Sequence, residues 1–217
     1  MSVIVKICGL KDAANLNAAL DAGADWVGFV FFPPSPRHLE PQTAAPLGAL
    51  AAGHARKVAL TVDADDALFD AIVAALDPDM LQLHGRETPE RARALRARYN
   101  RPVMKALGVS EAADLASARN YAGAADWLLF DAKPPRAATR PGGNGLAFDW
   151  TILRGFDAGL PWMLSGGLDA DNIAHALAAS GARALDVSSG VESAPGVKDA
   201  GKIRAFIANA RAAAALV

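Results

Sequence analysis

The stretch Asp21-Ala22-Gly23-Ala24-Asp25-Trp26-Val27 joins the end of a predicted helix to the start of a predicted strand. Its glycine stands where the helix ends, because glycine adopts the left-handed cap conformation at little cost. The stretch is repeated in Ala122-Gly123-Ala124-Ala125-Asp126-Trp127-Leu128, and Ser180-Gly181-Ala182-Arg183-Ala184-Leu185 is a looser third copy. The repeats predict equivalent helix-to-strand junctions along the chain.

Predicted strands and alanine-rich helical stretches alternate around these junctions. The strands are predicted at Val3–Ile7, Trp26–Phe31, Lys57–Val62, Met80–Leu83, Val103–Ala106, Trp127–Phe130, Trp162–Leu164 and Ala184–Val187. Apolar residues between them recur at helical spacing, as in Ile203, Phe206, Ile207 and Ala210, in Leu68, Ile72, Ala75 and Leu76, and in Leu16 and Leu20. Thr88-Pro89-Glu90 places a cap before a proline, which is typical of a helix start.

Eight strands alternating with eight helices in 217 residues predict an α/β fold, a closed (β/α)8 or TIM barrel. A doubly wound open sheet is the alternative, because it has the same alternation. No linker divides the chain, so we expect a single domain over residues 1–217. The Pro/Gly-rich stretch from Pro134 to Gly145 is predicted to be a long loop after the sixth strand.

The composition excludes several classes of protein. Hydrophobic residues make up 52% of the chain, charged residues 21% and aromatic residues 6%, and the formal net charge is −1. Without a basic excess there is no electrostatic case for binding nucleic acid, and the apolar runs are too short to span a bilayer. The opening Met1–Lys6 does not resemble a signal peptide. A single cysteine precludes an internal disulfide, so we expect a soluble protein of the reducing cytoplasm.

In a barrel of this kind the chemistry is expected in the loops that follow the carboxyl ends of the strands. Polar residues at those points are Cys8, Arg37, Asp63, His84, Lys105, Asp131, Ser165-Gly166-Gly167 and Asp186-Val187-Ser188-Ser189-Gly190. They predict a site that can transfer protons and bind an anion.

Glycine and serine follow the seventh and eighth strands. Backbone N–H groups of Gly166, Gly167 and Ser188-Ser189-Gly190 can approach a phosphate closely, and barrels place phosphate sites at these two positions. Tight turns are the alternative explanation of the glycines. Two interpretations stay open for Gly142-Gly143-Asn144-Gly145 in the sixth loop, which are a contribution to this site and a hinge or lid.

Cys8 ends the first strand beside Gly9, so its sulfur is expected at the barrel mouth. Lys6 points to the same side one layer deeper, and its ammonium would lower the thiol pKa toward that of a base. The alternatives are an inert buried cysteine for Cys8 and an ion pair with Asp186 for Lys6.

Asp131 ends the apolar run Leu128-Leu129-Phe130. Desolvation there would favour a protonated carboxyl that can act as a general acid. The alternative is that the Asp131 carboxylate only orders the loop. Arg37 lies in a proline-rich loop that would present a guanidinium for bidentate capture of a carboxylate, or it is a surface arginine. His84 either lines the mouth of the barrel or is a packing histidine without a role in the site. No group of residues has a trustworthy metal-ligand spacing.

Six segments together resemble the phosphoribosylanthranilate isomerases of tryptophan biosynthesis. They are Val5–Leu10, Gly28–Phe31 with Ser35–Arg37, Gln82–Gly85, Leu129–Asp131, Leu164–Leu168 and Asp186–Glu192. They occur in order over residues 5 to 192, in the loops where a barrel site belongs.

The resemblance implies an Amadori rearrangement of N-(5-phosphoribosyl)anthranilate, without a cofactor. It implies that Asp131 is the general acid, that Cys8 is the general base, and that Arg37 holds the anthranilate carboxylate. The backbone around Gly167 and Ser188 to Gly190 would hold the phosphate. Lys6, His84, Gly145 and Asp186 are further candidates for lining the mouth.

Three other functions remain open on the sequence. They are a histidine-pathway isomerase, an aldolase with Lys105 as its Schiff-base lysine, and a non-catalytic phosphoribosyl binder. In each case the expected partner is a small molecule, not a nucleic acid or a membrane, and the chain is expected to be a monomer or a homodimer.

Overall fold

Eight strands pair side by side in chain order and close into a barrel in the computed structural model, which describes residues 3–133, 141–143 and 145–216. The strands are β1 Ile4–Cys8, β2 Trp26–Phe31, β3 Arg56–Thr61, β4 Met80–Leu83, β5 Val103–Val109, β6 Trp127–Ala132, β7 Trp162–Leu164 and β8 Ala184–Val187. All neighbouring pairs are parallel, and β8 returns to β1 with Lys6 opposite Asp186. The closed barrel is confirmed, and the open sheet was the wrong alternative.

The predicted strand limits agree closely with the observed ones. The largest difference is β5, which runs on to Val109 instead of ending at Ala106. Strand β6 extends to Ala132, so Asp131 lies within the strand and is paired with Gly108 of β5. The additional hydrogen bonds hold the backbone of Asp131 more firmly than a loop would.

Helices cover the outside of the barrel. The α-helices are α1 Ala13–Asp21, α2 Pro41–Ala51, α3 Asp66–Leu76, α4 Pro89–Tyr99, α5 Ile173–Ser180 and α6 Ala200–Ala214. Helix α4 begins as predicted, with Thr88 capping the N–H of Arg91. In α6 the four predicted apolar residues are buried, whereas in α3 Phe69 takes the core position expected for Leu68.

The prediction of eight such helices is wrong for two connections. Within the described residues, β5–β6 is bridged by the 3-10 helix Ala112–Tyr121 and β6–β7 by the 3-10 helix Trp150–Leu153. In the first, the Asp114 carboxylate accepts the N–H groups of Ser110 and Glu111, and Ser117 donates to the Asp114 carbonyl. Such local side-chain bonds compete with the α-helical hydrogen-bond pattern.

The repeated junctions do more than turn the chain. Gly23, Gly123 and Gly181 all have a positive φ, as predicted. In addition, the carboxylate of Asp25 accepts the N–H of Val5 at 2.7 Å, and that of Asp126 accepts the N–H of Val103 at 2.9 Å. In these two junctions the aspartate therefore ties the new strand to the one before it.

The inside of the barrel is layered, because alternate residues of each strand point inward. An apolar layer lies toward the amino ends and consists of Trp26, Val58, Met80, Met104, Ala106, Leu129, Met163 and Ala184. Closer to the mouth come Lys6, Gln82 and Asp186, all buried. Cys8 and His84 follow at the carboxyl ends. The lumen thus changes from apolar to polar toward the mouth.

Two further segments have described residues beside the mouth. A short hairpin of β9 Glu192–Ala194 and β10 Val197–Lys198 follows β8. From the predicted loop Pro134–Gly145 the described residues are 141–143 and 145, and residues 134–140 and 144 lie outside the described part. No helix in the described ranges is both long and apolar enough to span a bilayer.

Candidate active site

A cleft opens at the carboxyl ends of the strands, with an empty volume of about 730 Å³ including its open mouth. Most of the residues predicted for the site line this cleft: Cys8, Arg37, His84, Asp131, Gly145, Gly166, Gly167, Asp186, Ser188 and Ser189. Lys6 and Gly190 lie behind the lining. The structure therefore brings residues from six different strand ends into one place.

Cys8 is the last residue of β1 and is 3% exposed. A glycine is needed opposite it on β2, since a Cβ on Gly28 would lie 2.9 Å from the sulfur. Burial raises the pKa of the Cys8 thiol above its ordinary value, although the Lys6 ammonium acts to lower it. The prediction of a lowered thiol pKa is wrong, because desolvation outweighs the nearby charge.

Lys6 is completely buried beneath Cys8. Its ammonium donates to Gln82 Oε1 at 2.7 Å and to Asp186 Oδ1 at 2.9 Å. Burial acts to lower the Lys6 pKa, but the Asp186 carboxylate raises it above its ordinary value, so the amine stays charged. The ion pair offered as an alternative for Lys6 is present, and Ser165 Oγ donates to its second oxygen, Asp186 Oδ2, at 3.2 Å.

The Asp131 carboxyl faces the cleft from β6, with a side chain 8% exposed. Its Oδ1 accepts the N–H of Ala132 at 2.8 Å, and its Oδ2 lies 3.4 Å from Nε2 of His84. A Cβ on Gly142 would lie 2.5 Å from Oδ2, so this glycine lets the backbone cover the pair closely. His84 lines the mouth, the first of its two predicted roles.

Arg37 is buried, not a surface residue, and it already holds a carboxylate of the protein itself. Its Nε and Nη2 donate to the two oxygens of Glu192 at 2.7 and 2.8 Å, a bidentate pair. Nη2 also donates to the carbonyl of Gly143 at 3.3 Å. The guanidinium is thereby fixed in orientation while its outer edge borders the cleft.

Lys198 is a site residue that the sequence analysis missed. Its ammonium donates to Glu192 Oε1 at 2.8 Å and to the carbonyl and hydroxyl of Ser188 at 2.8 and 3.2 Å. It lies on β10, a strand of two residues, which is too short to show an alternating pattern in the sequence. The one available signal was its nearness in sequence to Glu192, six residues earlier, with which it pairs.

The predicted phosphate residues surround one end of the cleft. Gly166 and Gly167 have φ values of +87° and +70°, which favour glycine. Ser188 and Ser189 line the cleft beside them, and Ser188 Oγ donates to the Cys8 carbonyl at 3.1 Å. Gly190 has a packing role as well, because a Cβ there would overlap the Leu168 carbonyl oxygen.

Lys105 does not line the cleft, which argues against the aldolase alternative. Its ammonium is buried against the Gly85 carbonyl at 2.6 Å and the Glu87 carboxylate at 2.9 Å. No lysine lines the cleft among the described residues. In the same part of the chain, no group of three or more His, Cys, Asp or Glu side chains is placed to hold a metal ion.

Glu192 should make the stability of the protein depend on acid pH. Burial acts to raise its pKa, but Arg37 and Lys198 lower it to about 2 from an ordinary value of 4.5. Such a carboxylate stabilises the fold above its unfolded pKa, and that contribution is lost as the pH falls toward the folded value. Between pH 4.5 and 2, we therefore expect the urea unfolding free energy to fall less steeply in Glu192→Gln than in wild type.

The matched control is Asp21→Asn, at an exposed carboxylate, which should keep the wild-type slope. Parallel slopes for wild type and Glu192→Gln would contradict the assigned role of Glu192.

Comparison with known proteins identifies a family. Residues 5–209 match the family model described as N-(5'phosphoribosyl)anthranilate (PRA) isomerase. The chain is 60% identical over 213 residues to the N-(5'-phosphoribosyl)anthranilate isomerase of Nitrobacter winogradskyi, covering 98% of this chain and 95% of that protein.

Solved structures are similar along nearly the whole chain. One is a phosphoribosyl anthranilate isomerase in complex with reduced 1-(o-carboxyphenylamino)-1-deoxyribulose 5-phosphate, with a TM-score of 0.84 and 33% identity over 97% of this chain and 99% of that one. Another describes monomers of the dimeric enzyme from Thermotoga maritima, with the same TM-score, identity and coverage.

Proposed function

The chain belongs to the N-(5'-phosphoribosyl)anthranilate isomerase family, and from that premise we propose how its cleft carries out the isomerisation. The enzyme converts N-(5-phosphoribosyl)anthranilate to 1-(2-carboxyphenylamino)-1-deoxy-D-ribulose 5-phosphate in tryptophan biosynthesis. The proposal concerns which residues bind this substrate and move its protons.

The substrate has a phosphate at one end and a carboxylate at the other. The proposed phosphate site is the backbone of Gly166-Gly167 and of Ser188-Ser189-Gly190, beside the short helix that follows β8. The proposed carboxylate site is the outer edge of the Arg37 guanidinium, which Glu192 holds in place. Gly145 lines the cleft between the sixth and eighth loops.

Asp131 is proposed as the general acid of the first step. Its carboxyl proton passes to the ribose ring oxygen, the bond from that oxygen to C1′ breaks, and the nitrogen lone pair forms a protonated Schiff base. The electrons of the O–H bond stay on Asp131, whose carboxylate then accepts the Ala132 N–H. Its position at the buried end of β6, facing the cleft, supports this role.

Cys8 is proposed as the general base of the second step. Its thiolate removes the C2′ proton, and the released electron pair forms the C1′–C2′ double bond. At the same time the double bond from C1′ to nitrogen becomes single as its pair returns to nitrogen, which neutralises the Schiff base. The resulting enolamine then tautomerises to the ketone. Because burial raises the thiol pKa, the cationic Schiff base formed in the first step would help to produce the thiolate. The observation that carries the proposal is that Cys8 and Asp131 border one cleft from separate strands.

Turnover of freshly generated phosphoribosylanthranilate, followed as the loss of anthranilate fluorescence, tests the function. We expect wild-type protein to turn over the substrate and to bind the reduced product analogue. A folded protein that binds the analogue without turnover would favour the non-catalytic binder. A folded protein that does neither would favour the histidine-pathway isomerase.

Arg37→Gln should weaken substrate binding more than it slows the chemistry. A charge-assisted hydrogen bond contributes about 1.5–3 kcal/mol, which corresponds to a rise in KM of roughly 10- to 150-fold. Steady-state kinetics measure KM and kcat, and inorganic phosphate serves as the control inhibitor. Phosphate should inhibit the variant and wild type at similar concentrations, whereas an unchanged KM would contradict the role of Arg37.

The remaining proposals concern the number of domains, the cellular location and the oligomeric state. We propose one domain for the whole chain, because β1 and β8 from its two ends are hydrogen-bonded neighbours. We propose a cytoplasmic location, which the free thiol of Cys8 supports, and either a monomer or a homodimer. Fractionation of the native host and sedimentation of the purified protein would test these statements.

A further inference from the structure

A line of buried and partly buried polar side chains connects the proposed acid to the ammonium under the proposed base. Lys6 Nζ donates to Gln82 Oε1 at 2.7 Å, and Gln82 Nε2 lies 3.2 Å from His84 Nδ1. His84 Nε2 lies 3.4 Å from Asp131 Oδ2. The mechanism above uses Asp131 and leaves Gln82 and His84 without a role.

The chemistry of these groups determines which atoms carry hydrogen. An ammonium has only donors, so the atom of Gln82 that faces Lys6 must be the amide oxygen. The amide NH2 of Gln82 must then face His84, whose Nδ1 can only accept. A neutral imidazole that accepts at Nδ1 carries its hydrogen at Nε2, the nitrogen that faces Asp131.

The same contacts disfavour a hydrogen on Nδ1 of His84. A second proton on Nδ1 of His84 would point at the N–H of Gln82, so that two donors would face each other in a buried place. Gln82 is fully buried, and Lys6 prevents its amide from turning over. The His84 ring is therefore oriented by Gln82 at Nδ1, with its Nε2 toward Asp131.

We propose that Gln82 and His84 are positioning residues that direct one N–H donor at the Asp131 carboxyl. This inference rests on the proposed role of Asp131 as the acid. When the acid delivers its proton, negative charge develops on the carboxylate, and the N–H groups of Ala132 and His84 face one oxygen each. Both donors keep their own protons and stabilise the charge. The 3.4 Å separation is expected to shorten when substrate is bound, as catalytic hydrogen bonds commonly do.

Nitrogen-15 NMR of the histidine rings in the intact protein tests the arrangement directly. We expect His84 of wild type to carry its hydrogen on Nε2 and to accept at Nδ1. In Gln82→Glu a carboxylate oxygen would face Nδ1, so the hydrogen should move from Nε2 to Nδ1 and leave no donor toward Asp131. An Nδ1–H tautomer or an imidazolium in wild type would overturn the proposal.

Kinetics provide the second readout. We expect Gln82→Glu and His84→Leu to lower kcat by about 10- to 100-fold, because removing one preorganised donor has effects of at least this order, with KM changed by no more than about threefold. His84→Gln carries an amide N–H at a similar reach and should recover part of kcat. His54→Gln, at an exposed histidine, is the matched control and should keep wild-type kcat.

The outcomes separate this inference from the function on which it rests. If Asp131→Asn is inactive while Gln82→Glu and His84→Leu keep wild-type kcat, the positioning role is overturned and the acid stands. If Asp131→Asn keeps wild-type kcat, the assignment of the acid fails, and the positioning role fails with it. Thermal melting of each variant shows that the protein measured is folded.

Discussion

Replacing Cys8 by serine lowers kcat by about 10²- to 10⁴-fold, the usual contribution of a general acid or base. The hydroxyl has nearly the shape of the thiol and fits opposite Gly28, but it is far too weak an acid to exist as the anion. Removal of the C2′ proton should therefore become the slowest step. Substrate deuterated at C2′ would react several-fold more slowly than ordinary substrate in Cys8→Ser, measured by the fluorescence assay.

Two controls separate loss of the base from loss of the fold. Cys8→Ser should bind the reduced product analogue with a Kd close to that of wild type, because the thiol lies at the reacting carbon and not at either charged end. Ser193→Ala, at an exposed residue of β9, should leave kcat unchanged. Retention of more than about a tenth of wild-type kcat in Cys8→Ser would refute the assignment of the base.

Replacing Asp131 by asparagine should lower kcat to a similar extent, about 10²- to 10⁴-fold, by a different step. The amide has the shape of the carboxyl and can still accept the Ala132 N–H, but it has no acidic proton to deliver to the ring oxygen. Ring opening should then limit the rate, so deuterium at C2′ should have no effect on turnover.

The isotope effect makes the two roles separable. A large effect in Cys8→Ser together with none in Asp131→Asn would place the two residues on successive steps. The reverse pattern would exchange the roles of acid and base. Asp157→Asn, at a carboxylate on the outside of the barrel, is the control for the change of charge and should retain full activity.

The buried polar residues of the barrel lumen are not explained by a contribution to folding stability. A buried ion pair such as Lys6–Asp186 contributes little net stability compared with apolar side chains of similar size, because both charges lose their water. The role of the Lys6–Asp186 pair is to position charge near the cleft. It places a fixed ammonium below Cys8 and fixes the orientation of Gln82.

Local patterns in the sequence were sufficient for the fold and for most of the predicted residues that line the cleft. Inward alternation along β1 predicted that Lys6 and Cys8 point the same way, and the glycine junctions predicted the positive φ at Gly23, Gly123 and Gly181. These are properties of neighbouring residues, and they act over a few residues of chain. The family followed from six short segments in order, which comparison with relatives confirmed.

Contacts between distant segments were beyond those patterns. The bidentate bond from Arg37 to Glu192 joins residues separated by 155 positions, and Lys198 joins that pair from a hairpin with no periodic pattern. The thiol pKa of Cys8 was predicted in the wrong direction, because one charged neighbour is visible in the sequence whereas the extent of burial is not.

By itself, then, the sequence determined a closed α/β barrel, the position of its mouth, and the residue types that reach it. Those features depend on periodicity and on glycine conformation, which are local. Only the tertiary structure decided that Arg37 is held by Glu192, that Cys8 is desolvated, and that Gln82 connects Lys6 to His84. Hydrogen-bond partners and dielectric surroundings depend on atoms that distant strands bring within about 3 Å, and no local pattern encodes that distance.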